Sequence, residues 1–133
     1  MYRTAAWTTG GGQAKIPYDT KDFDSGTNVD VVTNSRFVAP VAGFYHFDAT
    51  GGFVAAFTGD PIYLNIYKNG VNYIQGTVGS TINANTMTIG VSDTIQLVAG
   101  DYIEIFVQNQ SGANKAGATG RSSYFSGFLV STT

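Results

Sequence analysis

The sequence contains no cysteine, and this absence excludes disulfide bridges, zinc–thiolate sites and thiol-based catalysis. Charge is also scarce, because charged residues make up only 12% of the 133 residues and the formal net charge is −2. No basic patch is large enough to predict nucleic-acid binding. The longest apolar run, residues 53–57, is far too short for a membrane-spanning helix, so we expect no membrane insertion.

Residues 1–4 have no apolar segment, so no signal peptide is visible in this chain. The length predicts a single domain over residues 1–133, with residues 1–12 forming an N-terminal strand and glycine turn and residues 13–133 forming the core. The chain is rich in glycine, with 17 residues, and aromatic residues make up 14%. This composition favours strands and turns over helices.

The stretch from residue 36 to residue 47 reads as a strand, a corner and a second strand. Pro40 cannot donate to a central ladder, and Gly43 allows the chain to turn and restart. After Gly43 the side chains alternate, so Tyr45 and Phe47 share one face while Phe44 and His46 share the other. Both faces of this strand are therefore aromatic.

Apolar alternation bounded by turn signals predicts roughly ten short strands and no helix, the pattern of an antiparallel sandwich or barrel. The predicted strands cover residues 2–9, 14–19, 29–32, 36–39, 43–57, 62–68, 71–78, 87–91, 94–98, 102–109 and 123–131. Asn69-Gly70 predicts a tight hairpin turn. Residues 79–85 form a loop or an irregular strand, and residues 112–121 form a small-residue loop.

Several strands carry aromatic residues opposite their main apolar set, and exposing all of these would create an adhesive surface. Burying one such side chain stabilises by roughly 2–3 kcal/mol. We therefore expect a homo-oligomer. The candidate interface residues are Phe44, His46, Tyr63, Tyr67, Tyr102, Phe106, Tyr124 and Phe128.

Two polar stretches resemble ligand loops. The glycine run at residues 10–12 is read as a turn, because Lys15 is followed by Ile16 rather than Ser or Thr, as a phosphate loop would require. Asp19, Asp22 and Asp24 are candidate calcium ligands, but a solvated loop is the alternative because Thr33 stands where a bidentate Glu would be needed. No other metal or cofactor is expected.

His46 is the only histidine, and Asp48 is its neighbour on the same face of the strand. No nucleophile-elbow motif accompanies it. We therefore expect no catalytic residue and place His46 at a subunit contact or a sheet surface. If His46 lies on a threefold axis, three copies could bind a metal ion or an anion.

Phe37 is followed after five residues by Gly43, with Tyr45 and Phe47 at alternate positions beyond it. This spacing resembles the core signature of the complement C1q globular-head family, and three further motifs resemble those of the family in the same order. Tyr67-Lys68-Asn69-Gly70 is similar to the family's hairpin. Residues 97–103 resemble its strand pair around Gly-Asp, and residues 124–129 resemble its closing strand. The resemblance covers residues 16–131.

This resemblance implies a ten-stranded antiparallel jelly roll, like that of tumour necrosis factor, assembled as a homotrimer without enzymatic activity. The chain has no Gly-X-Y collagen repeat, and it is similar to stand-alone versions from bacteriophage and bacterial surface proteins. A virion, extracellular or cell-surface location is expected from that similarity.

Two functions fit this reading. The first is a phage tail fibre or bacterial surface head that recognises a host glycan or a host protein receptor. The candidate loop residues for this recognition are Asn83, Asn85, Asn114, Lys115 and Arg121. The second is a structural trimerisation or decoration domain with no ligand of its own.

Overall fold

The structure is a computed structural model that describes residues 1–54, 61–79 and 86–133. Within these ranges the chain forms strands and no helix, so no described helix could cross a membrane. The twelve described strands are β1 (Tyr2–Arg3), β2 (Trp7–Thr9), β3 (Gly12–Lys15), β4 (Val29–Asp30), β5 (Arg36–Val38), β6 (Gly43–Val54), β7 (Ile62–Lys68), β8 (Val71–Gly79), β9 (Met87–Leu97), β10 (Tyr102–Asn109), β11 (Lys115–Gly117) and β12 (Gly120–Thr132).

Sheet A is built around β6, which is long enough to pair with three strands. β9 pairs along one edge of β6, while β12 and then β11 pair along the other. β1 pairs with β12 and β2 pairs with β11. The first and last strands therefore lie side by side.

Sheet B is built around β10 in the same way. β7 pairs along one edge of β10, and β5 and β3 share the other. β8 lies outside β7, and β4 lies outside β5. All pairs in both sheets are antiparallel, which confirms the predicted all-β jelly-roll class.

The core lies between the two sheets and consists of the inward set of each strand. Tyr45 and Phe47 from β6 are 2% and 0% exposed, and Leu64 from β7 and Ile105 from β10 are fully buried. Burying one such side chain stabilises the fold by roughly 2–3 kcal/mol. The alternation predicted from sequence is confirmed for these strands.

The Asn69-Gly70 turn is confirmed, with φ angles of 53° and 78° at its two residues. Positive φ at both central positions is the requirement of a type I′ turn. The Asn69 side chain also donates to Asp101 Oδ1 at 2.8 Å and accepts from the Tyr102 N–H at 2.9 Å. The hairpin is thereby joined to the turn that precedes β10.

Some predicted boundaries are wrong. The predicted loop at residues 112–121 contains β11 and the start of β12, and the two strands predicted between residues 87 and 98 form the single strand β9. The strand predicted at residues 14–19 begins earlier and ends at Lys15. The predictions for residues 55–57 and 80–85 lie outside the described residues.

Candidate assembly face and recognition loops

The outer face of sheet A carries exposed aromatic residues next to polar ones. We define this assembly face by the outward residues of β6, β9 and β12, which are Phe44, His46, Asp48, Thr50, Ser92, Thr94, Gln96, Tyr124, Ser126 and Phe128. Phe44 is 39% exposed and Phe128 is 61% exposed, although both lie within strands rather than in loops. Val130, beside the bulge in β12, is 55% exposed.

The outer face of sheet B differs at β7 and β10, where the side chains cover one another, although Tyr73 on the edge strand β8 is 52% exposed. Tyr67 stacks on Phe106 with ring centroids 4.2 Å apart, and Tyr67 is only 6% exposed. The Arg36 guanidinium lies 4.7 Å from the centroid of the Tyr102 ring. A layer of partly buried aromatic and charged side chains therefore covers this face.

The structure thus divides the eight predicted interface residues between two faces. Phe44, His46, Tyr124 and Phe128 lie on the assembly face of sheet A. Tyr63, Tyr67, Tyr102 and Phe106 lie on the outer face of sheet B. These two groups occupy opposite sides of the sandwich, so they do not form one continuous surface within a chain.

His46 lies at the centre of the assembly face in a cluster of polar groups. Its Nδ1 is 3.0 Å from Thr94 Oγ1, and its Nε2 is 3.2 Å from Asp48 Oδ2 and 3.3 Å from Ser92 Oγ. The ring also packs against Phe128 with centroids 5.5 Å apart. These contacts fix the orientation of the imidazole.

The cluster does not have the geometry of a serine relay. In such a relay the acid and the nucleophile bond to opposite nitrogens of the imidazole, whereas Asp48 and Ser92 both approach Nε2. Thr94 and Asp48 do contact opposite nitrogens of the ring. They lie on an open sheet surface, however, where the Asp48 side chain is 44% exposed. The arrangement suits a packed surface better than a water-excluding reaction site.

The three candidate calcium ligands are used by the protein itself. Asp19 accepts from the backbone N–H groups of Thr4 and Ala5 and pairs with Arg3 at 2.9 Å. Asp22 forms a bidentate pair with Arg121, with N–O distances of 2.6 and 2.8 Å. Among the residues the structure describes, no group of three or more acidic or histidine side chains is placed to hold a metal ion.

Asp24 stabilises the loop that these acids share. Its carboxylate accepts from the backbone N–H groups of Asn28 and Val29, each at 3.0 Å, and from Lys21 Nζ at 3.2 Å. The loop is therefore held at both ends, by Asp19 and by Asp24.

The carboxyl groups of this loop have lowered pKa values. For Asp19, burial would raise the pKa, but hydrogen bonds from the Thr4 and Ala5 N–H groups and from the Thr4 and Thr20 hydroxyls lower it to about 2. The hydrogen bond from Arg121 lowers the pKa of Asp22. Both groups are therefore ionised, and their bonds are formed, at neutral pH.

The predicted recognition residues lie in different environments. Asn114 is exposed in the turn before β11, while Lys115 lies within β11 and is only 5% exposed. Arg121 is exposed, although it is paired with Asp22 and lies over the Tyr2 ring. Asn83 and Asn85 are outside the described ranges.

Two exposed apolar side chains at loop positions were not predicted from the sequence. Phe23 is 85% exposed and Val32 is 93% exposed. Phe23 precedes Asp24, whose carboxylate accepts backbone hydrogen bonds, and the Val32 N–H donates to Asp30. The sequence signal at Phe23 was an apolar residue inside an otherwise polar, Asp-rich loop. Val32 was predicted to lie in a strand over residues 29–32, whereas the observed strand β4 ends at Asp30.

Asn109 was also missed, although it organises the loop between β10 and β11. Its Nδ2 donates to Thr9 Oγ1, the Gly10 carbonyl and the Ala113 carbonyl, and its Oδ1 accepts from the Ser111 N–H. The residue is 1% exposed. Asn109 is therefore a buried loop anchor.

The sequence was compared with models of known protein families and with curated proteins. The family model of the C1q domain matches residues 2–130 of this chain. No curated protein matches at a significant level.

Solved structures of two related groups share the fold. The globular domain of zebrafish complement 1qA protein is 15% identical with a TM-score of 0.61, and the match covers 96% of this chain and 98% of that chain. Murine APRIL is 10% identical with a TM-score of 0.67, covering 96% and 94%. Eiger TNF from S. frugiperda is 11% identical with a TM-score of 0.63, covering 98% and 95%.

These likenesses show the jelly-roll fold, and the family match extends over nearly the whole chain. Two residues of the motif, Tyr45 and Phe47, belong to the core, and Phe37 packs against it with its ring centroid 5.3 Å from that of Phe47. The chain belongs to the C1q domain family.

Proposed function

We propose that this chain is a non-enzymatic homotrimeric head domain of a phage tail fibre or a bacterial surface protein, and that it recognises a host glycan or host protein receptor. C1q and TNF-like domains are typically trimeric and act in recognition. The observation that carries the proposal is the exposure of Phe44 and Phe128 on the assembly face.

The contrast between the two sheets favours sheet A as the subunit contact. On sheet B, Tyr67 and Phe106 cover each other by stacking, and Tyr73 is exposed only on the edge strand β8. Sheet A leaves Phe128 61% exposed within β12, which pairs with the long strand β6. Burying a phenylalanine stabilises by roughly 2–3 kcal/mol, and three subunits would each contribute one such residue.

His46 fits this assignment because it has a polar partner on each ring nitrogen. A histidine that is buried by a neighbouring subunit needs its nitrogens to be hydrogen-bonded. Thr94 and Ser92 supply hydroxyl groups that can donate or accept, so the ring is satisfied within its own chain. An interface can therefore close over His46 without leaving an unpaired nitrogen.

Recognition is assigned to the loops rather than to a catalytic pocket. Phe23 and Val32 present apolar surface from loops that are held by aspartate caps. Exposed apolar and aromatic side chains on preorganised loops are typical contact residues for partners. The proposed placement on a virion or a cell surface rests on the sequence resemblance alone, together with the absence of a collagen repeat from this chain.

The assembly is tested by Phe128→Ser, with Tyr73→Ser as the matched control. Tyr73 lies on β8 and is 52% exposed, so it is as accessible as Phe128 but belongs to sheet B. We expect Phe128→Ser to weaken the trimer by about 2 kcal/mol per subunit, as measured by sedimentation equilibrium. Tyr73→Ser should leave the mass unchanged. Equal masses for both variants would contradict the assigned face.

A second function, a structural trimerisation or decoration domain, is favoured by a separate observation. Polar side chains of the described loops are largely used internally, as the bonds of Asp19, Asp24 and Asn109 show. A glycan array together with pull-downs from host surface extracts separates the two functions. Specific binding to a glycan or a host protein supports the recognition head. No binding to any glycan or extract supports the structural domain.

A further inference from the structure

A cleft of about 710 Å³ opens between the edges of the two sheets. Its floor is formed by core aromatics, with Phe37, Tyr45, Phe47 and Phe125 among the lining residues. Leu129 pairs in register with the buried Tyr45, so it faces the core, yet it is 41% exposed. The core is therefore open along this side of β12.

The same side of β12 has unpaired backbone groups. Phe125 exchanges two hydrogen bonds with Met1, each at 2.8 Å, so the N–H and C=O of Phe125 point away from β6. Because these directions alternate along a strand, the backbone groups of Gly127 and Leu129 point the same way. No strand in the described part of the chain pairs with β12 on that side beyond Phe125.

The opposite wall of the cleft is held in place. Phe23, which lines the cleft, lies between Asp22 and Asp24. The Asp22 carboxylate pairs with Arg121 on β12, and Asp24 accepts from the backbone of the loop itself. A wall fixed in this way loses little conformational freedom when a ligand binds.

We propose that this cleft binds an extended peptide segment of a partner protein, which adds to sheet A as a strand beside Gly127–Leu129. The unpaired backbone groups define the occupant, since an added strand supplies both hydrogen bonds and side chains. Side chains of the added strand alternate, so every second residue enters the apolar cleft. The partner segment is therefore one with apolar residues at alternate positions.

The pairing geometry gives a sharp test. In an antiparallel pair, a residue that is hydrogen-bonded to Gly127 or Leu129 has its side chain on the same face as theirs, toward the cleft. In a heptapeptide that alternates valine with serine, the valine amides would then face β12 and the serine amides would face solvent. Methylating the valine amides removes the ladder donors, whereas methylating the serine amides does not.

Binding of these peptides is measured by titration while amide exchange is followed by NMR. We expect the parent peptide and the serine-methylated peptide to slow exchange at Gly127 and Leu129 by at least about tenfold, and the valine-methylated peptide to bind at least about tenfold more weakly. No protection at these amides, or equal binding of both methylated peptides, would overturn the proposal. Assembly through Phe128 would itself slow exchange at the neighbouring amides, so every titration is run at one protein concentration. Full protection of Gly127 and Leu129 before any peptide is added would assign the edge to another copy and would also overturn the proposal.

A pair of protein variants provides a second test. Leu129→Pro removes an N–H that has no partner in the described structure, and Leu129→Ala removes the same side chain but keeps the N–H. We expect Leu129→Pro to bind the parent peptide at least fivefold more weakly than Leu129→Ala does. Equal affinities would contradict strand addition, and if the proline variant does not fold, the methylated peptides decide alone.

Discussion

At the scale of single residues, Gly117 is packed directly against the indole ring of Trp7 and leaves no space for a side chain. A Cβ added to Gly117 would overlap the indole ring of Trp7. Trp7 is 7% exposed, packs on Phe53 at 5.8 Å and donates from Nε1 to the Ala118 carbonyl at 3.4 Å. The ring therefore has no room to move away from a larger residue at position 117.

We expect Gly117→Ala to lower the free energy of unfolding by about 2 kcal/mol, because overpacking forces the backbone or the indole to shift. Gly90→Ala is the control, since a Cβ at Gly90 would lie 3.5 Å from the Ala49 carbonyl oxygen, an ordinary contact. Urea unfolding followed by Trp7 fluorescence measures both. An equal loss in the two variants would contradict the steric account.

Asp19 predicts a specific dependence of stability on pH. Its pKa in the folded chain is about 2, below the ordinary value of 3.8. A carboxyl group with a lowered folded pKa stabilises the fold above its unfolded pKa, and this stabilisation is lost as the pH falls toward the folded pKa. The contribution of Asp19 should therefore disappear between about pH 4 and pH 2.

We expect Asp19→Asn to be less stable than the parent chain at pH 7, because the carboxylate bonds to Thr4 and Ala5 are weakened. The difference should shrink as the pH approaches 2. Urea midpoints at pH 7, 5 and 3 measure this trend at one fixed protein concentration. A difference that is constant from pH 7 to pH 3 would contradict the assignment.

At the scale of strands and turns, the sequence predicts an element well when its signals are local. β7 and β10 have the bounds predicted for them, because strict alternation is flanked by clear turns in each case. β11 was missed because Lys115-Ala116-Gly117 has no apolar alternation of its own. That strand exists through its distant partners β2 and β6, which no local pattern reveals.

The β7–β8 hairpin gives a prediction at the same scale. We expect Gly70→Ala to lower the free energy of unfolding by about 1 kcal/mol, since Gly70 has a φ of 78° that a side chain disfavours. Gly10→Ala is the control, because Gly10 has no positive φ and no atom within 4 Å of an added Cβ. Thermal unfolding separates the two, and equal midpoints would show that the turn geometry is unimportant.

At the scale of the whole molecule, the two faces of the sandwich differ in how far their aromatic side chains cover one another. The sequence predicts that aromatics lie on both faces, and the structure shows this arrangement. It does not predict which face covers itself, because the Tyr67–Phe106 stack depends on the register between β7 and β10. The exposure of Leu129 was also not predicted. Alternation assigns this residue to the core, but a local pattern does not show where the two sheets leave a cleft between their edges.

The roles of the polar loop residues were also not predictable from the sequence. The aspartates that resemble a calcium loop in the sequence form hydrogen bonds within the chain, and Asp22 pairs with Arg121, which is 99 residues away in sequence. Asn109, which the sequence predicts only as the last residue of a strand, anchors the β10–β11 loop. The sequence shows where Asp22 and Asn109 are. Their roles depend on Arg121 and Thr9, which are distant in sequence and become neighbours only in the fold.

The mass of the unmodified chain in solution tests the central claim most directly. With Phe44 and Phe128 exposed on the assembly face, sedimentation equilibrium at low micromolar concentration should give three times the chain mass of 14.1 kDa. A single, stable species of 14.1 kDa across that range would contradict the trimer and the recognition head built on it.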